Sequence, residues 1–242
     1  IDSPSMREIE KAQQRVAALD AAGPVLLNDA NKNLVGETDR LLKAVRTMGL
    51  DPKTVMARFS QQGGMGGPEI PLGQNKIGED PAFNKGLKQA QESLQSLAQV
   101  VTALNAIPLT MPLTSGELTS GFGGRIDPFN EQRAFHAGLD FSAPLRTDVY
   151  VTAPGVVVFA DRNGAYGNSV EVDHGFGIRT RYGHLDSISV KQGARVDRGD
   201  VIGKLGSTGR STGPHVHYEI WYDQAARDPR KFIKAGQDVL QE

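Results

Sequence analysis

The sequence predicts an α+β protein in which an N-terminal helical, coiled-coil-like region precedes an antiparallel, β-rich domain. Over residues 1–106, apolar side chains recur three and four positions apart, which is typical of amphipathic helices. Residues 107–242 instead contain short runs of valine, isoleucine and aromatic residues separated by glycine, which is typical of strands and tight turns. All five histidines fall between His136 and His217, so we expect the chemistry to lie in the second region.

Composition excludes several classes of protein. The 27 lysines and arginines nearly balance the 28 acidic residues, so no net charge favours a nucleic acid or an anionic membrane as partner. The chain has no cysteine, which excludes disulfides and thiolate metal sites. No apolar run approaches the roughly 20 residues of a membrane span. The chain begins at Ile1 rather than methionine, which leaves room for a signal or a membrane anchor upstream.

Three helices are predicted in the first part of the helical region. One apolar stripe lies in residues 5–19, and the Gly-Pro pair at residues 23–24 is expected to end that helix. A second stripe runs through residues 34–48 and is expected to stop at Gly49. A short third helix is predicted at residues 52–61.

The last helical pattern covers residues 87–104 and alternates three and four, as in the seam of a coiled coil. We expect the stripes to pack against one another in an antiparallel hairpin or bundle, because an apolar stripe must be buried. The alternative is a coiled coil that binds a partner or a second copy. The glycine-rich residues 63–78 are predicted to form a long loop, either a flexible connection or a segment that controls access to the β-rich domain.

The β-rich domain contains six predicted strands with β-branched and aromatic residues. Their sequences are DVYV, GVVVFA, NSVEVDHG, GIRTRYGHL, DVIGKLG and HVHYEIW. With Pro108 near the change of pattern, the predicted domains are residues 1–106 and residues 107–242.

Two short motifs in this domain have the residues of a metal site. They read HAGLD at residues 136–140 and HVHYE at residues 215–219. In extended segments, even spacings place His136 and Asp140 on one face, and likewise His215, His217 and Glu219. Two imidazoles and one carboxylate with an open fourth position are a ligand set of catalytic zinc. Either motif alone is a weak signal, because histidines in strands are more often structural, but the pair favours a metal site.

Five motifs of the second region stand in a distinctive order. They are TSGFGGR at 119–125, FHAGLDF at 135–141, APGVV at 153–157, YGHL at 182–185 and GSTGRSTGPHVH at 206–217. Together they resemble the lysostaphin/LytM-type zinc endopeptidases of bacterial cell walls, over about residues 113–220. No metal or catalytic position departs from the family's pattern, which separates the chain from relatives that have lost ligands.

The resemblance implies that His136, Asp140 and His217 bind zinc and that His184 and His215 flank the attacking water. In the implied mechanism zinc polarises the scissile amide and activates water. His215 accepts the proton of the water as general base, and His184 hydrogen-bonds the water or the developing oxyanion. The resemblance does not decide which of His184 and His215 is the base.

The implied function is hydrolysis of peptide cross-links or stem peptides of bacterial peptidoglycan in the cell envelope. The helical region is similar to that of Gram-negative members, which cut the D-alanyl bond to diaminopimelate. This similarity implies a periplasmic location, with an inner-membrane anchor left open, and protein partners that bind through the coiled coil. Two alternatives remain: a non-catalytic regulator that activates another cell-wall hydrolase, and an enzyme inhibited by its helical region or by residues 63–78.

Five further residues have predicted roles. Glu219 is expected either to hydrogen-bond an imidazole of the site or to face solvent in an ion pair. His174 is expected to be structural where a strand turns. For Arg125, an ion pair or packing role is as well supported as a contact with substrate. Tyr166 is a candidate for lining the cleft, and Trp221 is expected to pack in the core.

Overall fold

The computed structural model describes residues 4–62, 81–127 and 130–240, and the predicted loop at residues 63–78 lies outside them. The α+β prediction is confirmed, because three helices precede antiparallel sheets and a final helix. The helices are α1 (Pro4–Thr47), α2 (Pro52–Gln62), α3 (Pro81–Asn105) and α4 (Pro229–Leu240). Within these described ranges, no helix combines the length and the apolar character that crossing a membrane requires.

The chain divides into two compact units. The first comprises Ile1–Leu42 and Ser60–Val101, and the second comprises Lys43–Phe59 and Thr102–Glu242. All described strands therefore belong to the second unit, together with α4, the end of α1 and most of α2.

Helix α1 continues through Gly23 and Pro24, so the predicted break there is wrong. A proline inside a helix removes one backbone hydrogen bond and costs about 3 kcal/mol, which the packing of a 44-residue helix can offset. Gly23 also has a packing role, because a Cβ atom at this position would lie 3.1 Å from Cδ2 of Phe83 on α3. The glycine thus admits an aromatic ring from the neighbouring helix.

The two long helices run parallel in the first unit, so the predicted antiparallel hairpin is wrong. Gly23 approaches Phe83, Leu27 approaches Gly86, and Asn31 accepts a hydrogen bond from Ser93, so the contacts advance along both helices together. A short connection would force neighbouring helices to be antiparallel. Here α2 and the residues that follow it separate the two helices in sequence, which removes that constraint.

The predicted seam of α3 is only partly buried. Val100 and Leu104 are buried, whereas Leu94 and Val101 on the heptad stripe are 56% and 43% exposed. The buried face of the helix is therefore rotated away from the heptad stripe, and a partner-binding coiled coil stays a prediction.

The six predicted strands are all present, at residues 148–150, 155–162, 168–175, 178–185, 201–204 and 216–222. The strands are β1 (Glu117–Ser120), β2 (Gly123–Ile126), β3 (Arg133–His136), β4 (Leu139–Ser142), β5 (Asp148–Tyr150), β6 (Gly155–Arg162), β7 (Asn168–Gly175), β8 (Ile178–Leu185), β9 (Ser187–Ile188), β10 (Arg195–Val196), β11 (Val201–Lys204), β12 (Val216–Tyr222) and β13 (Ala225–Arg227). The main sheet has the order β1-β4-β12-β8-β7-β6-β10, with β13 paired to β12. Strands β5, β11 and β9 form a second sheet, β2 and β3 form a hairpin, and these pairings are antiparallel.

Alternation along β12 gives the main sheet its two faces. Val216, Tyr218 and Ile220 are fully buried on the face that forms the core. The residues between them, His217 and Glu219, point to the opposite face, because successive side chains of a strand alternate. That opposite face, called the outward face below, is where the predicted metal ligand of β12 lies.

The end of α2 packs on two turns of the β-rich unit. Phe59 stacks on Phe176 in the β7–β8 turn. Arg58 donates to the Phe176 carbonyl and pairs with Asp223, with 2.7 Å between Nη1 and Oδ1. Residues 43–59 therefore pack with the sheets of the second unit.

Helix α4 was not among the predicted elements. Its buried residues are Pro229, Phe232, Ala235 and Gly236, and their spacing of three and four is a helical signal that sequence analysis could have used. A Cβ atom at residue 236 would meet the carbonyl of Leu109, so glycine lets the helix lie directly against the chain that enters the β-rich domain.

His174 has the structural position that the sequence predicted. It is buried near the β7–β8 turn, with Nδ1 2.7 Å from the Pro154 carbonyl and Nε2 2.8 Å from the Thr180 hydroxyl. Burial lowers the pKa of His174 from 6.5 to about 4. The folded protein therefore holds this imidazole in its neutral form.

We expect the free energy of unfolding to fall by about 3 kcal/mol through His174 as the pH drops from 6.5 to 4. Between these values the unfolded chain binds a proton at residue 174 that the folded chain resists, so acid favours unfolding. Urea unfolding at pH 7 and pH 4.5 would measure the effect. The His174→Asn variant serves as comparison, since it lacks the titrating group. An identical loss of stability in the variant would contradict the assignment.

Candidate metal centre

Three strands bring the predicted metal ligands together. His136 ends β3, Asp140 lies in β4 and His217 lies in β12. Asp140 and His217 are direct partners in the β4–β12 register, which places their Cβ atoms about 5 Å apart on one face. His136 belongs to the β2–β3 hairpin, so the single extended segment expected for residues 136–140 is instead two short strands.

Gly138 makes the connection between these two strands possible. A Cβ atom at this position would lie 2.3 Å from the carbonyl oxygen of Tyr218 in β12. Any residue other than glycine would therefore clash with this carbonyl unless the backbone moved. Glycine therefore lets the β3–β4 connection press against β12. This close approach helps bring His136 to the side chains of Asp140 and His217.

The three side chains form a tight, buried cluster. His217 Nδ1 lies 2.8 Å from Asp140 Oδ1, and His136 Nε2 lies 3.1 Å from the same oxygen. The two imidazole nitrogens are 3.0 Å apart. All three residues are at most 7% exposed, and one ligand atom from each lies within 4.8 Å of the others. The cluster thus offers two nitrogens and one oxygen to a single point.

Each member of the cluster is held from behind by another group. His136 Nδ1 donates to the Gly121 carbonyl at 2.7 Å, which leaves Nε2 facing the cluster. His217 Nε2 donates to Glu219 at 2.8 Å, which leaves Nδ1 facing the cluster. Arg125 Nη2 lies 3.6 Å from Asp140 Oδ2. An ion pair was one of the roles predicted for Arg125. These contacts fix the orientation of groups that would bind a metal.

The charges in the cluster favour an ionised carboxylate. Burial alone would raise the pKa of Asp140, but hydrogen bonds with His136 and His217 hold it well below its ordinary value. Burial would lower the pKa of His217, but its bonds to Asp140 and Glu219 raise it. The centre therefore contains an anionic oxygen and an imidazole that shares a proton with carboxylates, and a cation could take the place of that proton.

His184 and His215 lie beside the cluster, as predicted. Their ring centroids are 4.7 Å apart, and the His184 ring is 5.9 Å from the His217 ring. His215 Nε2 lies 3.8 Å from Asp140 Oδ1. The four histidines and Asp140 line one cleft of about 220 Å³.

The backbone at His184 explains how its side chain reaches the cleft. Its φ of 61° is in the left-handed region, which costs a residue other than glycine on the order of 1 kcal/mol. Regular alternation after Tyr182 would turn residue 184 toward the core, because Tyr182 is fully buried there. The left-handed conformation instead allows the imidazole to face the cleft.

Glu219 is a buried acceptor for four donors. They are His217 Nε2 at 2.8 Å, Tyr166 Oη at 2.9 Å, Arg181 Nη1 at 2.8 Å and Trp221 Nε1 at 2.6 Å. Its predicted bond to an imidazole is confirmed, and the solvent-facing alternative is wrong because Glu219 is fully buried. Arg181 was not singled out from the sequence, although the cross-strand pairing of β8 with β12 places it opposite Glu219.

Two aromatic predictions have different outcomes. Tyr166 lines the cleft, as its candidate role required. Trp221 does not pack in the core: it is half-buried on the outward face, two residues beyond Glu219. The prediction for Trp221 is therefore wrong, because alternation from Tyr218 and Ile220 gives it the same face as His217.

Residues 134–229, which contain the whole cluster, match the sequence profile of peptidase family M23. This part of the chain is thus similar to peptidase family M23. The resemblance of its motifs to lysostaphin/LytM-type endopeptidases is therefore confirmed at the level of the family. His136, Asp140, His184, His215 and His217 all lie within the M23 match.

Relatives of the M23 domain include enzymes from two bacteria. The DD-carboxypeptidase/endopeptidase Mpg of Neisseria meningitidis serogroup B is 47% identical over 108 residues, 45% of this chain and 25% of that protein. The peptidoglycan DD-endopeptidase ShyA of Vibrio cholerae serotype O1 is 47% identical over 96 residues, 40% of this chain and 22% of that protein. Each match thus spans about a quarter of the relative's length.

A solved structure is also similar to part of this chain. It is the catalytic domain of the antimicrobial peptidase lysostaphin from Staphylococcus simulans, with 32% sequence identity and a TM-score of 0.45. The superposition covers 49% of this chain and 92% of that domain.

Proposed function

We propose that the chain is a zinc-dependent endopeptidase that hydrolyses peptide cross-links or stem peptides of bacterial peptidoglycan in the cell envelope. The observation that carries this proposal is the convergence of His136, Asp140 and His217 with two further histidines in one cleft of the M23 domain. The names of Mpg and ShyA, which describe DD-endopeptidases, support the choice of substrate class.

The residues of the cluster fit a zinc ion. Two imidazole nitrogens and one carboxylate oxygen are the donors that catalytic zinc sites use, and they lie within 4.8 Å of one another. Zinc held by His136, Asp140 and His217 would supply a Lewis acid for the scissile carbonyl and a lowered pKa for a water molecule. The cleft beside the cluster leaves room for that carbonyl and water.

We assign the general base to His215. Its Nδ1 lies 2.8 Å from the Gly213 carbonyl, which can only accept a hydrogen bond, so the proton of the neutral ring is on Nδ1. Nε2 therefore carries a lone pair and can accept a proton from water. The carboxylate of Asp140, 3.8 Å from Nε2, would stabilise the imidazolium that forms.

His184 has the neighbouring role of orienting the water. Its Nδ1 donates to the Thr208 carbonyl at 2.8 Å, so Nε2 is an acceptor. Burial lowers the pKa of His184, the hydrogen bond to the Thr208 carbonyl opposes this, and the nearby His215 adds to the lowering, so that the pKa lies at about 4. A neutral His184 in this tautomer accepts a hydrogen bond from water and has no proton to donate to an oxyanion.

The complete donor set favours an enzyme over a non-catalytic regulator. A regulator would need neither a buried His, Asp, His cluster nor two lone-pair nitrogens directed at the same cleft. Inhibition of the enzyme by the helical region stays a prediction.

Variants of the two flanking histidines test these roles. We expect His215→Ala to lower kcat by about 10²- to 10⁴-fold, because general-base catalysis contributes that much. His184→Ala is expected to lower kcat less, since other groups can hold the water. Both variants are expected to retain zinc, because neither residue belongs to the cluster.

The measurement is the rate of cleavage of cross-linked muropeptide dimers at saturating substrate, with zinc content determined on each sample. Loss of zinc from His215→Ala would make this residue a ligand rather than a base. Intact dimers after incubation with the zinc-loaded, unaltered chain would contradict the proposed function itself.

A further inference from the structure

A second cleft, of about 380 Å³, lies on the outward face of the main sheet. It belongs to the same compact unit as the metal centre. Its walls include Glu171, Asp173, Arg179, Arg181, Trp221 and Gln224. Since His217, Glu219 and Trp221 are alternate residues of β12, the metal centre and the second cleft follow one another along the same face.

The charges around the second cleft are balanced in pairs. Arg179 pairs with Asp173 at 2.9 Å, and Arg181 pairs with Glu171 at 2.8 Å and with Glu219 at 2.8 Å. No unpaired charge among these groups selects a simple anion or cation. The cleft instead offers both donors and acceptors of hydrogen bonds.

Trp221 supplies the apolar part of the cleft. Its indole N–H is already used, because Nε1 donates to Glu219 at 2.6 Å. The Arg181 guanidinium lies over the ring, with Cζ 5.6 Å from the ring centroid. A ligand would therefore meet the remaining aromatic surface rather than the N–H. An aromatic surface surrounded by carboxylate, guanidinium and amide groups suits a pyranose ring, which has an apolar face and a rim of hydroxyl groups.

The spacing of the two clefts agrees with a substrate that carries a peptide and a sugar. Four residues of β12 separate His217 from Trp221, so their Cα atoms are about 13 Å apart along the strand. An extended peptide of roughly four residues spans this distance. A stem peptide with its scissile bond at the metal centre can thus reach the second cleft with the end that joins the glycan.

We propose that the second cleft binds a saccharide ring of the glycan strand that carries the stem peptide, an inference that rests on the proposed peptidoglycan endopeptidase function. The site makes the enzyme prefer peptide that is still attached to glycan. Trp221 packs against the sugar ring, and Arg179, whose side chain is 56% exposed, is available to its hydroxyl groups.

Trp221 is the only tryptophan of the chain, so its fluorescence reports directly on this cleft. We expect a saturable change when the full chain is titrated with tetra-N-acetylchitotetraose. Arg179→Ala should weaken binding about fivefold through the loss of a hydrogen bond. Arg146→Ala is the matched control, because it breaks another exposed Arg–Asp pair, with Asp186, that does not line the cleft. A sugar-free stem peptide should give no comparable change.

A second readout is the ratio of kcat/KM for cross-linked muropeptide dimers with and without their sugars. We expect the sugar-bearing dimer to be preferred by about tenfold, as one well-made sugar contact would give, and the ratio to fall in Arg179→Ala but not in Arg146→Ala. No fluorescence change with the oligosaccharide, or an equal response to the sugar-free peptide, would overturn the proposal. If neither dimer is cleaved, the proposed function fails and the fluorescence titration alone decides on the saccharide site.

Discussion

Replacing His217 by alanine is expected to lower the zinc content of the purified protein from about one ion per chain to none. Peptidoglycan cleavage should fall to the level seen without enzyme. The physical reason is that the variant leaves only His136 and Asp140 as ligands. Catalytic zinc sites use three protein ligands, so two do not hold the ion. Metal analysis of dialysed protein and the release of soluble muropeptides measure the two effects.

Arg146→Ala serves as control for this experiment, since it changes an exposed residue outside the cleft. The control should keep both zinc and activity. Retention of zinc by His217→Ala at the level of the unaltered chain would contradict the assignment of the cluster as the metal centre.

Replacing Glu219 by glutamine is expected to weaken zinc binding about 10- to 100-fold, the usual effect of losing a group that holds a metal ligand. Glutamine keeps the size of the side chain but has one acceptor oxygen in place of two. Its amide N–H₂ group is a donor and faces groups that are themselves donors, so it cannot accept their hydrogen bonds. The four donors around residue 219 then cannot all be accommodated. Competition with a chromogenic chelator measures the zinc affinity.

The same substitution should lower the free energy of unfolding by about 3 kcal/mol, because it leaves the guanidinium of Arg181 short of a buried partner. Glu171→Gln is the matched control, since Glu171 pairs with the same arginine but does not contact His217. We expect the control to lose some stability in urea and to keep its zinc affinity. An equal loss of zinc affinity in both variants would show that the effect is general destabilisation.

The six strands and the faces on which several site residues lie could be predicted from the sequence, because both depend on the order of residues within short segments. Strand alternation alone places His217 and Glu219 on one face, away from Tyr218. Alternation did not predict that His136 lies in a hairpin outside the main sheet or that His184 adopts a left-handed conformation. Only the motif resemblance named His184 as a residue of the site.

The errors came from features that depend on tertiary contacts. The Gly23-Pro24 pair has the composition of a helix end, but the helix continues where the ring of Phe83 packs on the glycine. The relative direction of α1 and α3 is not encoded in either apolar stripe, since a stripe shows which face is buried and not what covers it. Arg181 was missed because an exposed-looking arginine in a strand becomes informative only once Glu219 is seen beside it.

The most direct test of the account is the incubation of purified peptidoglycan with the zinc-loaded chain and with the same chain after removal of zinc by a chelator. The products are identified by mass. We expect cross-linked muropeptides to be converted into shorter peptides only in the zinc-loaded sample, with activity restored when zinc is added back. Cleavage that continues at the same rate without zinc, or cleavage confined to the glycan bonds, would contradict the proposal of a zinc endopeptidase.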